Sequence, residues 1–209
     1  MGNVFEVKTA VASILVLSCA TASADRLISI PQGNKIRFRE VRLEGNWELR
    51  DRGGEQFYLG AGVTRDFEVE WHGIRERGGA IVGTLNLTYN FINPITDFAP
   101  GISVGVLDAL DRTQDRRRGY FATTYRYGLD GENNQNVPME VSLGVTVGEA
   151  IRPFVGVSLP FSSKFRLLAE HDGFRVNSGV ELKPIRDLSV RFLVRDSQPS
   201  AGVVYSLRF

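Results

Sequence analysis

Alternation of apolar and polar residues runs along most of this chain and limits its possible folds more than any other feature. The clearest stretch lies between Val137 and Val147, where Val141, Leu143 and Val145 alternate with small or polar residues. A period of two places alternate side chains on opposite faces of a β-strand. Comparable runs continue from Gln56 to the end of the chain without a helical period. The pattern predicts an all-β fold.

The composition explains where an apolar surface must come from. The chain has 209 residues, a formal net charge of +1 and a mean hydropathy of -0.11. The near-zero charge argues against a strongly electrostatic partner such as nucleic acid. No apolar run after Ala24 approaches the length of a membrane helix. If the protein lies in a membrane, alternating strands must supply its lipid-facing side chains.

The C-terminal residues form one more apolar face. Val203, Tyr205, Leu207 and Phe209 share strand parity, and the face ends in an aromatic ring. This ending resembles the C-terminal signal of bacterial outer-membrane barrels, which the barrel-insertion machinery reads. The resemblance implies that Tyr205, Leu207 and Phe209 act as an assembly signal. The alternative is a soluble β-protein that happens to end in phenylalanine.

The N-terminal residues have the features of a secretory signal. Lys8 precedes an apolar run from Val11 to Ala20, and small residues surround a cleavage site after Ala24. Cys19, the one cysteine, lies within this segment, in a stretch that loosely resembles a lipoprotein box. Lipidation is therefore an open alternative. The predicted organisation is a signal peptide over 1–24, a periplasmic lead-in or first strand over 25–50, and an outer-membrane barrel over 51–209.

The predicted architecture is a closed, antiparallel, up-and-down transmembrane β-barrel. Closure removes the unpaired sheet edges, which hydrocarbon does not tolerate. We expect about ten strands, with eight or twelve as alternatives, because bacterial barrels of this kind have even strand numbers. The short turns include Asp172-Gly173 and Lys183-Pro184.

The polar face of these strands carries many charges. In a barrel surrounded by lipid this face points inward, whereas a soluble barrel would turn it to water. Mixed charges in a narrow lumen would pair and fill it, because an unpaired buried charge is costly. The predicted lumen network comprises Glu68, Glu70, Arg126, Arg166, Glu170, Arg175, Glu181, Arg191 and Arg195, and Asp66 has the same parity.

Four arginines in one loop are candidates for binding an anionic partner. Arg112, Arg116, Arg117 and Arg118 follow the strand that ends near Val106. Guanidinium groups bind phosphate and carboxylate with two parallel hydrogen bonds. Lipopolysaccharide phosphates or an acidic polysaccharide are suitable partners if this loop faces the cell surface. The alternative is a solvated run of loop charges.

The sequence offers little for catalysis or metal binding. His72 and His171 are the two histidines, and neither lies near a nucleophile motif. Three aspartates, Asp108, Asp111 and Asp115, share a loop, but the neighbouring arginines offset their charge and the glycine spacing of a calcium loop is missing. We therefore expect no enzyme activity, no catalytic residue, no cofactor and no metal site.

The last third of the chain resembles a known family. Residues 167–180 contain Ala169, Glu170, Asp172 and Gly173 ahead of an Asn-x-Gly strand at Asn177. This strand-turn-strand element is similar to that of the YjbH-type outer-membrane barrels associated with exopolysaccharide, with histidine at 171 where tyrosine is usual. The resemblance covers about residues 153–209.

The resemblance implies a non-catalytic outer-membrane barrel that supports the envelope or exopolysaccharide production. Its partners would be outer-membrane lipid, lipopolysaccharide, the insertion machinery and an acidic polysaccharide. A narrow, porin-like passive channel for small solutes is the alternative function. A soluble periplasmic lipid-binding β-barrel is a weaker one.

Overall fold

The protein is a closed barrel of twelve antiparallel strands in a computed structural model. The structure describes residues 26–34, 36–49, 54–75, 79–128 and 137–209, so the predicted signal peptide with Cys19 lies outside the described residues. The strands are β1 (Glu40–Glu48), β2 (Glu55–Gly62), β3 (Phe67–Arg75), β4 (Ile81–Ile92), β5 (Gly101–Leu107), β6 (Arg118–Tyr127), β7 (Met139–Val147), β8 (Ile151–Ser162), β9 (Phe165–His171), β10 (Val176–Ile185), β11 (Leu188–Arg195) and β12 (Gln198–Arg208).

Every strand pairs with its neighbours in the sequence, and the first pairs with the last. The register between β1 and β12 runs from Glu40 opposite Arg208 to Glu48 opposite Ser200. This seam leaves no free edge, which is the condition for a β-structure surrounded by hydrocarbon. The predicted up-and-down closed barrel is thus confirmed as a fold.

The preferred count of ten strands was wrong, and the alternative of twelve is correct. One extra strand is β1, which begins at Glu40 and lies within 25–50, the range predicted as a periplasmic lead-in or first strand. The other arises because a single alternating run was assumed from Phe57 to Trp71. A turn divides that run, and the backbone N–H groups of Val63 and Thr64 donate to the Phe67 carbonyl.

The strand faces differ sharply in chemistry. On β1 the inward residues are polar, while the outward Leu43 is 49% exposed. Leu143 on β7 and Phe192 on β11 are also exposed on the outer face. The buried polar residues of the inner face include Glu44, Glu68, Glu70, Thr124, Ser142, Ser158, Glu170, Asn177, Glu181 and Arg191.

The barrel has two different ends. Phe209 and the start of β1 lie at one end, here called the terminal end, and the opposite end is called the loop end. The loop end carries the β5–β6 connection over 108–117, among others, while tight turns such as Ser163-Lys164 lie at the terminal end. Among the described residues, no helix is long and apolar enough to cross a membrane.

Candidate functional site

Most of the described residues ahead of β1 lie in the interior of the barrel. We call residues 26–34 and 36–38 the lumen segment. Arg26, Leu27, Ile30 and Ile36 are each at least 94% buried, since their exposed fractions are 6%, 3%, 2% and 1%. The segment begins with a tight turn in which the Leu27 N–H donates to the Ile30 carbonyl at 3.1 Å. The range predicted as a periplasmic lead-in or first strand thus contains an internal plug and, from Glu40, the first strand.

Barrel width explains why the lumen can hold a segment of chain. An eight-stranded barrel has an interior just wide enough for its own side chains, and the diameter grows with strand number. Twelve strands leave room that side chains alone do not fill. The lumen segment fills it with Leu27, Ile28 and Ile30, which pack in a buried cluster that includes Phe154 and Leu168.

Glu170 on β9 holds the turn of the lumen segment. Its carboxylate accepts backbone N–H groups from Ile28 at 2.9 Å, from Ser29 at 2.9 Å and from Ile30 at 3.4 Å. The Ser29 hydroxyl also donates to it, and Asn177 Nδ2 donates at 2.9 Å. Glu170 is inside the barrel as predicted from parity, but these partners are chiefly main-chain amides and not arginines of neighbouring strands.

Arg26 anchors the start of the described segment to the wall. Its Nη1 donates to both carboxylate oxygens of Glu70, at 2.9 and 2.8 Å, and its Nη2 donates to Glu44 at 3.0 Å. The guanidinium lies 3.4 Å from the centre of the Tyr58 ring, which stacks on His72. Two carboxylates thus bind the Nη atoms of this buried arginine, and an aromatic ring covers its face.

Glu44 connects Arg26 to a chain of buried ion pairs. It accepts from Arg42 at 2.8 Å and from Arg191 at 3.3 Å. Arg191 Nε also donates to Glu181 at 2.7 Å, and Glu181 pairs with Arg166 at 3.2 Å. Glu44 thus has three arginine partners and Glu181 has two, so removing a carboxylate would leave several buried guanidinium groups without that partner.

The other predicted lumen residues have separate partners. Glu68 accepts from Asn90 Nδ2 at 2.8 Å, Arg126 pairs with Glu140 at 2.9 Å, and Arg195 donates to Gln56 at 2.6 Å. Thus the structure brings Glu70, Arg166, Glu181 and Arg191 into one connected group through Arg26 and Glu44. The residues Glu68, Arg126 and Arg195 line the same interior outside that group.

Two predicted lumen charges lie in turns at the ends of the barrel and not in its buried interior. Arg175 pairs with Asp196 at 3.2 Å, and the side chains are 59% and 58% exposed. Arg175 precedes β10 in a turn, and Asp66 lies exposed in the turn before β3. Strand parity does not extend into a turn, where φ and ψ leave the extended region. The assignment of these two residues to the lumen was therefore wrong.

Sequence reasoning missed Arg26 and the polar face of β1. Glu40, Arg42, Glu44 and Asn46 alternate with Val41, Leu43, Gly45 and Trp47, which is the same period as in the recognised strands. That signal was present within the lead-in. For Arg26 the sequence carried no comparable signal, because no strand period applies to the lumen segment.

The middle of the lumen segment is held through its main chain. The Gly33 N–H donates to Thr124 Oγ1 at 2.8 Å, and Ser103 Oγ donates to the Gln32 carbonyl at 2.8 Å. A Cβ atom on Gly33 would lie 2.8 Å from the Thr124 backbone nitrogen and would also clash with the Gly101 carbonyl. Glycine is therefore required at this crossing of two backbones.

A polar cavity remains between the lumen segment and the loop end. Its volume is about 440 Å³, and it reaches from Pro31 and Phe154 to the loop residues Asp115, Arg152 and Asp172. A smaller cavity of about 160 Å³ adjoins Arg26, Tyr58 and His72. Both are bounded on the terminal side by the lumen segment.

The β5–β6 loop holds the predicted arginine cluster. Arg116 lies 3.7 Å from Glu149, and Arg118 lies 3.4 Å from Asp115. Within the part of the chain that the structure describes, Arg112 and Arg117 form no ion pair, and both are exposed. Two of the four candidate guanidinium groups are thus available to an anion.

Asp108 fixes the start of this loop. Its carboxylate accepts the N–H groups of Arg112 at 2.9 Å and Thr113 at 2.7 Å, the Thr113 hydroxyl at 2.6 Å and the Thr84 hydroxyl. Burial raises the pKa of Asp108, but these hydrogen bonds outweigh that effect and lower the pKa to about 2. The loop is therefore organised around an ionised carboxylate.

The remaining candidate residues lie on the outer wall or in turns. Tyr205 and Leu207 point outward from β12, and the Phe209 N–H donates to the Arg39 carbonyl at 3.1 Å. His171 Nδ1 accepts the Gly173 N–H in the β9–β10 turn. Across the described ranges, no group of three or more His, Cys, Asp or Glu side chains could hold a metal ion.

Comparison with known proteins gives a distant likeness of fold. No family model matches the chain, and no curated protein matches it. Among solved structures, the N-terminal β-barrel domain of Pseudomonas aeruginosa OprF is similar at 12% identity and a TM-score of 0.27, over 81% of this chain and 98% of that one. Values this low do not transfer a family or a function.

Proposed function

We propose that this protein is a non-catalytic barrel of the bacterial outer membrane that supports the envelope or surface polysaccharide production. The observation that carries the proposal is the inversion of its faces. Leucine, phenylalanine and tyrosine side chains are exposed around the outer wall, while carboxylates and guanidinium groups are buried within. A water-soluble barrel would need the opposite arrangement, since large apolar patches are unfavourable in water.

The same inversion disfavours a soluble lipid-binding barrel. Such a protein would enclose an apolar cavity for its ligand. Here the interior contains the ion pairs of Glu44, Glu181 and Arg191 together with the lumen segment. The wall facing outward is the side on which acyl chains would find apolar contacts.

The partners follow from this location. Outer-membrane lipid would surround the wall, and the insertion machinery would deliver the chain. If the loop end faces the cell surface, Arg112 and Arg117 would meet lipopolysaccharide phosphates or an acidic polysaccharide. The exposed guanidinium groups of these two residues support that part of the proposal.

The role in exopolysaccharide production rests on the resemblance of residues 167–180 to the YjbH-type barrels. In the structure this stretch is the β9–β10 hairpin, and its turn contains Gly173 at a φ of 96°. Its Glu170 and Asn177 point inward and bind Ser29 of the lumen segment. The residues of this resemblance thus belong to the part of the wall that holds the lumen segment in place.

A passive channel remains the second candidate. The twelve strands and the cavity of about 440 Å³ favour it, since a barrel of this size is wide enough to enclose water. The buried lumen segment opposes it, because its apolar side chains and main chain occupy the path. We therefore rank a barrel with a blocked lumen above an open channel.

Fractionation of cells that express the full chain tests the proposal. We expect the protein in the outer-membrane fraction, with faster gel migration before boiling than after it, as a closed barrel resists detergent. Recovery of a folded, heat-modifiable protein in the soluble periplasmic fraction would reject the outer-membrane location.

A further inference from the structure

The interior wall has the chemistry of a site for polypeptide. We propose that the lumen is a peptide-binding site, which this chain fills with its own lumen segment. The ligand class is a short peptide with an arginine, followed by apolar side chains and a glycine. The inference deepens the proposed function, but only its bilayer measurement depends on the membrane location.

Recognition of main chain is the first argument. Glu170 accepts three successive N–H groups, from Ile28 through Ile30. Further along, Thr124 accepts the Gly33 N–H and Ser103 donates to the Gln32 carbonyl. Side chains of β9, β6 and β5 thus take the place of the backbone partners that a neighbouring strand would provide. A buried peptide requires such partners for its N–H and C=O groups.

Complementary shape is the second argument. Gly156 on β8 leaves space for two apolar side chains, since a Cβ there would lie 2.5 Å from Ile30 Cδ1 and 2.6 Å from Leu27 Cδ2. Gly60 on β2 does the same for Ile36, whose Cδ1 would lie 2.5 Å away. Missing side chains on the wall therefore match apolar side chains on the segment.

A charge clamp is the third argument. Glu70 and Glu44 bind the Arg26 guanidinium from two strands, and Tyr58 covers its face. Arginine suits this position better than lysine because its planar group satisfies carboxylates and an aromatic ring together. The clamp holds Arg26 at one end of the described segment. The close contact of Gly33 with the backbone of Gly101 and Thr124 fixes its middle.

These contacts are all non-covalent, so the occupant is in principle exchangeable. Displacing it would remove the residues that bound both cavities on their terminal side. The lumen segment is accordingly both the resident ligand of the site and the reason that the lumen is blocked. A peptide of the same sequence should be able to take its place.

The main test uses the full chain in detergent. Gly33→Val puts a branched side chain against Gly101 and Thr124, which weakens the segment while the wall keeps its residues. A fluorescent peptide with the sequence of residues 26–38 is then titrated and its anisotropy is measured. We expect it to bind the variant at least tenfold more tightly than the unmodified protein, whose site is filled.

Two controls define specificity. A peptide that itself carries Gly33→Val should not bind, and Arg175→Ala, a change at the exposed rim, should leave binding as in the unmodified protein. Absence of peptide binding to a Gly33→Val protein that still shows heat-modifiable migration would overturn the inference. Equal binding of the two peptides would overturn it as well.

A second measurement applies even if Gly33→Val fails to fold. Ile30→Cys is placed in the full chain, with and without Glu170→Ala, and labelling by an impermeant thiol reagent is followed. We expect at least tenfold faster labelling when Glu170 is absent. Equal labelling rates in two folded proteins would mean that Glu170 does not retain the segment, and would reject the site.

Conductance measurements in planar bilayers test whether occupation of the peptide site blocks the lumen. The unmodified protein should give little steady current, Gly33→Val should conduct, and the added peptide should block that current. If peptide binding in detergent is as expected but the protein does not insert into bilayers, the peptide site stands and the membrane proposal fails. The two hypotheses are therefore separable.

Discussion

Two buried carboxylates show how single residues serve different purposes in one lumen. Glu44 is neutralised by Arg26, Arg42 and Arg191, whereas Glu170 receives main-chain N–H groups. Strand parity predicted that Glu170 points inward, because alternate residues of a strand share a face. It did not predict its partners, since they belong to a segment without any periodic pattern.

Arg191 provides a test of the buried network. Arg191→Ala should lower the free energy of unfolding by about 3–5 kcal/mol, because Glu44 and Glu181 would each lose a charged partner in a buried site. Chemical unfolding in detergent measures the loss. Arg175→Ala is the matched control, and its exposed pair with Asp196 should be worth at most about 1 kcal/mol. Equal effects of the two changes would contradict a buried network.

Asp108 gives a prediction for pH. Its pKa of about 2 is lower than that of an unfolded aspartate. The contribution of the ionised carboxylate to the stability of the fold is therefore complete above a pH of about 4, and it disappears as the pH falls through about 2. Amide hydrogen exchange at Arg112 and Thr113 should report this loss. Asp108→Asn should weaken protection of both amides already at neutral pH, while Asp111→Asn, which affects the Arg117 N–H, should leave them protected.

At the scale of the strand, the alternation was sufficient to predict the fold class and the inward or outward direction of most side chains. It was insufficient at the ends of strands. In the sequence, Asp66 and Arg175 continue the parity of the adjacent strands, but in the structure both lie in turns. The same limitation joined β2 and β3 into one run, because Val63 and Phe67 happen to keep the period across a turn.

Substitutions along the outer wall test whether lipid surrounds the strands. Leu143 lies mid-strand on β7, and Phe98 lies in the β4–β5 turn with 86% exposure. Leu143→Arg should cost roughly 2–4 kcal/mol in a bilayer, whereas Phe98→Arg near an interface should cost about 0–1 kcal/mol. Unfolding from lipid vesicles measures the difference. In water an exposed leucine tolerates arginine, so two equally small costs would argue against a membrane-spanning wall.

At the scale of the molecule, the number of strands and the course of the lumen segment belong together. An interior of twelve strands is too wide for wall side chains alone, and the lumen segment completes its packing. The sequence displayed the strands as local patterns. It did not display the plug, because the contacts of Arg26 with Glu70 and of Ser29 with Glu170 join residues 44 and 141 positions apart.

The seam between β1 and β12 tests closure of the whole molecule. Leu43 and Tyr205 are directly opposite each other and both point outward, so cysteines placed there would have Cα atoms within reach of a disulfide. We expect Leu43→Cys with Tyr205→Cys to crosslink under oxidation. The linked chain should keep an altered gel migration after boiling without reductant and lose it after reduction.

A shifted pair makes this a test of register as well as of closure. Leu43→Cys with Leu207→Cys keeps both side chains on the outer face but moves one of them two residues along β12, because Leu207 is opposite Val41. Diagonal neighbours of this kind are about 7–8 Å apart, which exceeds the usual disulfide range. The shifted pair should therefore crosslink much more slowly. Equal rates would refute the register, and no crosslink in either pair would mean that the first and last strands do not close the barrel.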